Sequence, residues 1–272
     1  MIPVQRTPRL IPGLQSIVQI TCGANHALAL DSKGNIWAWG AGEKNQLGRR
    51  LLGRRAQQSL VPHIVEVCPR RARYIASGQY HSFAIDNRDN VWAWGQNRFG
   101  EAGYARDAGT DTVLLPYPMK IPELCSKGVT VVDGGSHHSA AVTRDGQCFV
   151  WGRIDGGQLG VQFTDEQLRD ESLVRRDERD KPRICLRPVA VPGIGEAAYV
   201  SCGIHTIFVA QDGRIFGAGF ADMGQLGIAA PDDVTVATQI TGKALKERPV
   251  TWAGTGGQFS VVAGPAPAVA GS

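Results

Sequence analysis

No stretch of this chain approaches the 18 uninterrupted apolar residues of a helical membrane span, and its start, "MIPVQRTPRLIPG", has no apolar core of a secretory signal. The expectation is a soluble, non-secreted chain. Its six cysteines (Cys22, Cys68, Cys125, Cys148, Cys185 and Cys202) lie far apart, with no C-x-x-C or other metal-ligand spacing. Reduced, buried thiols are expected, not a disulfide framework or a metal site. No G-x-S-x-G, H-E-x-x-H or paired-carboxylate pattern stands out. "GAGEKN" (40–45) and "GAGFAD" (217–222) start like dinucleotide loops but lack the third glycine and a following helix. Bond-making chemistry, a cofactor and a small-molecule substrate are therefore not expected. The net charge of +4 is too small to demand nucleic-acid binding by the surface as a whole.

Glycine, by contrast, is abundant: 34 of 272 residues, about twice the ordinary share, which calls for many tight turns. The glycines recur in register. "CGANHALALDSKGNIWAWGAGEKNQLG" (22–48) returns as "SGQYHSFAIDNRDNVWAWGQNRFGEAG" (77–103), "GGSHHSAAVTRDGQCFVWGRIDGGQLG" (134–160) and "CGIHTIFVAQDGRIFGAGFADMGQLG" (202–227), and "GGQFSVVAG" (256–264) is a truncated fifth copy. Self-similarity at about fifty residues is the signature of a repeat array and not of two unrelated domains. Each copy carries two alternating runs around a D-x-x-G or D-G turn, which reads as a β-hairpin. Segments between copies, such as "VPHIVEVCPRRARYIASG" (61–78), add two further short strands.

Four strands per unit fit one blade of a β-propeller, an all-β fold in which sheets pack side by side around an axis. The propeller is expected over 1–264, in units of about 22–76, 77–133, 134–201 and 202–255, with partial blade strands at 1–21 and 256–264. Four complete blades plus partial terminal ones make part of a seven-bladed ring, a smaller ring or an open arc. Residues 161–187 read as a mobile, charged insertion loop, although Thr164 and Gln167 have the spacing of a capping box. Residues 265–272 read as a disordered tail.

His26, His81, His138 and His205 occupy one equivalent position, at the start of what reads as the innermost strand. Four matched imidazoles point to blade architecture, each donating a ring N–H to a neighbouring backbone carbonyl. Trp37, Trp39, Trp92, Trp94 and Trp151 read as blade packing. The residue before each histidine varies instead: Asn25, Tyr80, His137 and Ile204, with Ser136 beside the third. Variation at a fixed rim position is how a repeat scaffold builds a binding face, and His137 is its one titratable member. Arg49, Arg50, Arg54 and Arg55 form the sharpest basic cluster, suited to an acidic protein surface or a phosphate backbone.

The G-x-x-H, the D-x-x-G turn, the W-G after it and the "QLG" ending together resemble the regulator of chromosome condensation (RCC1) repeat family. "GGSHHSAAV", "LVP" (60–62) and "GGQFSVVAG" are similar to the C-terminal part of that family's exchange factors. The resemblance implies a seven-bladed propeller whose one face stabilises a nucleotide-free Ran-type small GTPase, in the nucleus. It places His137, Asn25, Tyr80 and Ser136 on the exchange face, with Asn25 where better-known members carry an aspartate. It also matches Arg49–Arg55 to a loop that docks on histones of the nucleosome. Four units cannot supply seven blades, so a fragment lacking the basic import tail, with a cytoplasmic location, is one expectation. A protein-interaction scaffold without exchange activity is the alternative. No membrane partner is expected.

Overall fold

The computed structural model describes residues 7–51, 58–66, 71–110, 113–229, 232–246 and 248–266. Four antiparallel sheets and one hairpin follow one another along the chain. The first is β1–β4 (Ile17–Cys22, His26–Asp31, Ile36–Ala41, Gln58–Ile64) and the second β5–β8 (Ala72–Ser77, His81–Asp86, Val91–Gln96, Leu114–Lys120). The third holds β9–β11 (Val129–Gly134, His138–Thr143, Cys148–Arg153), then β12 and β13 (Val174–Arg176, Pro182–Ala190). The fourth is β14–β17 (Ala197–Cys202, His205–Ala210, Ile215–Gly219, Val234–Gln239), and the hairpin is β18–β19 (Trp252–Thr255, Ser260–Ala263). Among the described residues no helix is long and apolar enough to cross a membrane.

The first strands of consecutive sheets (β1, β5, β9, β14 and β18) pack against one another and surround an axial cavity of about 610 Å³. This is the radial arrangement of a propeller. The sequence reading puts the histidines on the innermost strand. In the structure they open the second, because the apolar strand between repeats turns inward and starts the next blade. The unit boundaries move with it: Ile17–Cys22 is the first strand of the first full sheet and not a separate partial blade.

Second strands such as "HALALD" are buried along their whole length. The D-x-x-G turn follows from one carboxylate. Asp31 accepts from the backbone N–H of Lys33 and Asn35 (2.9 Å each) and from Trp37 Nε1 (3.1 Å), and Asp86 repeats this with Arg88, Asn90 and Trp92. The side chain thereby satisfies the N–H groups left over by the turn.

Residues 161–187, expected as a loop, are ordered structure. Thr164 and Gln167 close a capping box and start α1 (Asp165–Arg169). β12 then pairs with β13 and extends the third sheet to five strands. Ile184 and Leu186 supply the apolar contact that the charge pattern hides, packing with Phe99 and Ala108 of the preceding blade. Arg175 Nη1 donates to the Ala108 carbonyl and ties the two together. Of the described cysteines, Cys148, Cys185 and Cys202 are buried; Cys125 is only half-buried and Cys22 is exposed, because no sheet covers β1 on its outer side.

Candidate functional site

The matched histidines make the same bond at every blade junction, to a side-chain hydroxyl of the next blade and not to the backbone carbonyl expected from the sequence. His26 Nε2 meets Ser82 Oγ at 2.9 Å, His81 meets Ser139 at 2.9 Å, His138 meets Thr206 Oγ1 at 2.7 Å and His205 meets Ser260 at 2.6 Å. The hydroxyls of Ser82, Ser139 and Thr206 donate in turn to the carbonyls of Gln46, Glu101 and Gln158. A hydroxyl has one proton, so it accepts from the imidazole, which fixes the Nε2–H tautomer. The "QLG" motif is explained here as well: the carbonyl of its first residue receives the next blade's hydroxyl. Burial holds these imidazoles neutral, at about 4 for His26 and His205 and about 3 for His81 and His138.

The imidazoles of His26, His81 and His138 each lie over the glycine three residues earlier. A Cβ on Gly23, Gly78 or Gly135 would come within 2.4 Å of the ring or of the next blade's turn. Across the rim, Ala24 N donates to Gln79 O, Gln79 N to Gly135 O and Ser136 N to Gly203 O, so the turns form one continuous ledge. Phe259 takes the imidazole's place over Gly256 in the terminal hairpin and is largely exposed.

The residues before the histidines stand on this ledge at equivalent points. The carbonyls of Asn25, Tyr80 and His137 accept from the backbone N–H of Ala41, Gln96 and Arg153, at 2.7, 2.9 and 2.9 Å. Gly40, Gly95 and Gly152, all at positive φ, are required there because a Cβ would press on those carbonyls. Asn25 is exposed, while Tyr80, Ser136 and His137 are half-buried. Ser136 and His137 share a cavity of about 570 Å³ with Arg153, Asp155 and Phe220; Asn25 and Tyr80 do not line it.

His137 does not titrate near neutrality. Burial, then the guanidinium groups of Arg153 and Arg98, lower it to about 4 against the opposing pull of Asp155. Its ring lies 4.6 Å from that of Phe99. Three guanidinium groups surround the same phenyl ring: Arg98 and Arg153 at 5.3 Å and Arg183 at 5.2 Å from its centroid. Sequence reasoning missed this group, although one signal was available. The residue after each W-G or A-G also varies, as Ala41, Gln96, Arg153 and Phe220. Of the basic loop, Arg49 is tied to Ser59 Oγ and Arg50 is exposed. Arg54 and Arg55 lie outside the described residues. Among the described residues no cluster of three or more potential metal ligands occurs.

The two adjacent histidines are expected to separate in a melting experiment. His138→Ala removes a buried inter-blade bond and costs about 1–3 kcal/mol, whereas His137→Ala stays close to the parent. Equal shifts in thermal unfolding would defeat this division of roles.

Sheets laid around an axial cavity, joined by a repeated imidazole–hydroxyl bond and varied along one rim, define a repeat β-propeller. The profile described as RCC1-like domain matches residues 2–262, and the chain belongs to that family. It is 35% identical over 253 residues to protein pim1 of Schizosaccharomyces pombe, covering 92% of this chain and 46% of that protein. It is 32% identical over 267 residues to the guanine nucleotide exchange factor SRM1 of Saccharomyces cerevisiae, covering 97% and 54%. The crystal structure of Prp20p from Saccharomyces cerevisiae, described with its binding properties to Gsp1p and histones, superposes with a TM-score of 0.86 at 31% identity. That match covers 96% of this chain and 59% of that one. The chain thus spans about half the length of the curated relatives it matches.

Proposed function

We propose that this chain is the partner-binding portion of a guanine-nucleotide exchange factor for a Ran-type small GTPase. It is a nuclear regulator that makes and breaks no covalent bonds itself. The observation that carries the reading is its likeness, over nearly its whole length, to a protein named a guanine nucleotide exchange factor. The rim is the proposed contact face. Exchange requires only that this face bind the nucleotide-free GTPase more tightly than the GDP-bound one, since differential affinity shifts the population toward release. His137, Ser136, Asn25 and Tyr80 are assigned to that face. A neutral His137 acts there as a hydrogen-bonding group and an aromatic surface, not as a cation. Arg49 and Arg50 are assigned to an acidic histone surface, in line with the histone binding described for Prp20p.

Release of labelled GDP from Ran is the test. The chain is expected to accelerate release, and His137→Ala to lower the rate or the affinity about tenfold. The His137-dependent part should stay flat between about pH 6 and 8, because a group held near 4 keeps its neutral form throughout. Binding of the GTPase without release would select the scaffold reading. Neither binding nor release would end the proposal.

A further inference from the structure

The basic group around Phe99 is not a recurring element of the blades. At positions equivalent to Arg98 and Phe99 the other turns carry Glu43 and Lys44, Asp155 and Gly156, and Asp222 and Met223. At the position of Arg153 they carry Ala41, Gln96 and Phe220. An architectural feature would repeat, as the histidines do. This one is assembled once, from three separate places: the turn after β7, the end of β11 and the insertion.

The insertion supplies the third part. Ile184 is buried in one cluster with Phe99 and Ala108, and its neighbour Arg183 lies over the phenyl ring. The Arg183 carbonyl accepts from Ile154 N at 3.0 Å, which fixes the residue beside Arg153. Crowding like charges on one ring costs free energy, which the stacking on Phe99 and the charge of Asp177 offset for Arg183. Among the described residues Arg183 makes no ion pair, and its buried Nε–H has no acceptor. Of the neighbouring carboxylates, Asp155 takes both Nε and Nη2 of Arg153, Asp177 accepts from the backbone N–H of Arg179 and Lys181 and lies within electrostatic reach of Arg183, and Glu178 lines the same cavity as Arg183. A cavity of about 360 Å³ opens beside Arg98, Phe99 and Arg183.

We propose that Arg98, Arg153 and Arg183, stacked about Phe99 next to His137, form a recognition site for a carboxylate side chain of the protein partner, and that the insertion completes it. The Arg153–Asp155 pair already shows the mode, a planar guanidinium gripping both oxygens of one carboxylate. Stacking on an aromatic ring holds the fork flat and lowers the ordering cost of a second such pair. A phosphate site would ordinarily add backbone N–H groups converging on the anion, whereas here the N–H groups of Phe99, Gly109 and Arg179 are taken by Glu101, the Arg98 carbonyl and Asp177. The inference deepens the reading of the rim as the GTPase face and rests on it for the identity of the partner.

Two measurements on the whole chain keep the two ideas apart. In the first, a fluorescent peptide rich in glutamate is titrated and followed by anisotropy. Arg183→Gln is expected to weaken binding about tenfold and Arg183→Lys to restore only part of it, since an ammonium lacks the fork. Lys243→Gln, remote from the site, should leave binding unchanged. Equal affinity of parent and Arg183→Gln, or equal losses in Arg183→Gln and Lys243→Gln, overturns the site. Displacement of the peptide by about 10 mM inorganic phosphate at constant ionic strength overturns its assignment to carboxylates. In the second, Arg183→Gln is compared with the parent for nucleotide-free Ran, with unchanged melting as the folding control. A parent that binds the peptide but not Ran sinks the exchange-factor reading while the carboxylate site stands.

Discussion

Acidification from pH 8 to 5 is expected to unfold this chain, because its blades are joined by imidazoles that must stay neutral. His26, His81, His138 and His205 are almost wholly buried and held at about 3 to 4, against about 6.5 in an unfolded chain. A group whose folded value is depressed favours the unfolded state as it takes up a proton. The stability it lends is therefore complete above about pH 6.5 and is lost as the pH falls toward its folded value. At pH 5 each histidine contributes a loss of about 2 kcal/mol, or about 8 kcal/mol for the four. Two carboxyls work the other way. Burial raises Glu101 and lifts Asp133, which accepts from Cys202 N on the channel side, to about 7. Raised carboxyls stabilise the fold at low pH and lose that contribution as the pH rises, so they offset part of the histidine loss. The remaining loss is comparable with the whole stability of an ordinary domain. Tryptophan fluorescence and circular dichroism between pH 8 and 4 should show a cooperative transition near pH 5. Replacing His81 by Phe, the residue that stands at this position in the last hairpin, should make that transition shallower. A stability that is flat down to pH 4.5 would refute the relay of neutral imidazoles.

Trp151→Ala is the substitution expected to cost most. The indole is wholly buried, packs edge-on against Phe83 of the preceding blade at 6.0 Å, and donates from Nε1 to the Glu101 carbonyl at 3.0 Å. Truncation leaves a cavity between two blades that cannot collapse, since Ser139 and His81 hold them at their present spacing. A loss of about 3–5 kcal/mol is expected in urea or thermal unfolding. Trp94 stands in the same relation to Gln46 and should behave alike. Trp39, at the equivalent point of the first sheet, is only half-buried and should cost less than half as much. If Trp39 and Trp151 proved equally costly, the tryptophans would be stabilising their own sheets and not the junctions.

Much of this was legible in the residues. Repetition of the G-x-x-H, the turn aspartate, the W-G and the "QLG" identified four-stranded units, and the repetition of the imidazole beside a varied neighbour separated architecture from rim. What was not legible depended on contacts between units. The partner of each histidine lies 55 to 68 residues ahead, and only the coordinates show that the strand between repeats is the innermost one. His137 looked like a titratable group from its type, but the guanidinium groups that suppress its protonation come from three other segments.

The sequence by itself determined the repeat, the strands and the matched set of histidines, because these follow from local alternation, turn chemistry and spacing along the chain. Only the tertiary structure decided that a charged insertion folds back through Ile184 and Leu186 to place Arg183 beside Arg98 and Arg153 at Phe99. Two alternating apolar residues amid a dozen charges carry little signal in a linear reading. They become decisive once a neighbouring blade offers a surface on which burying them outweighs ordering the loop.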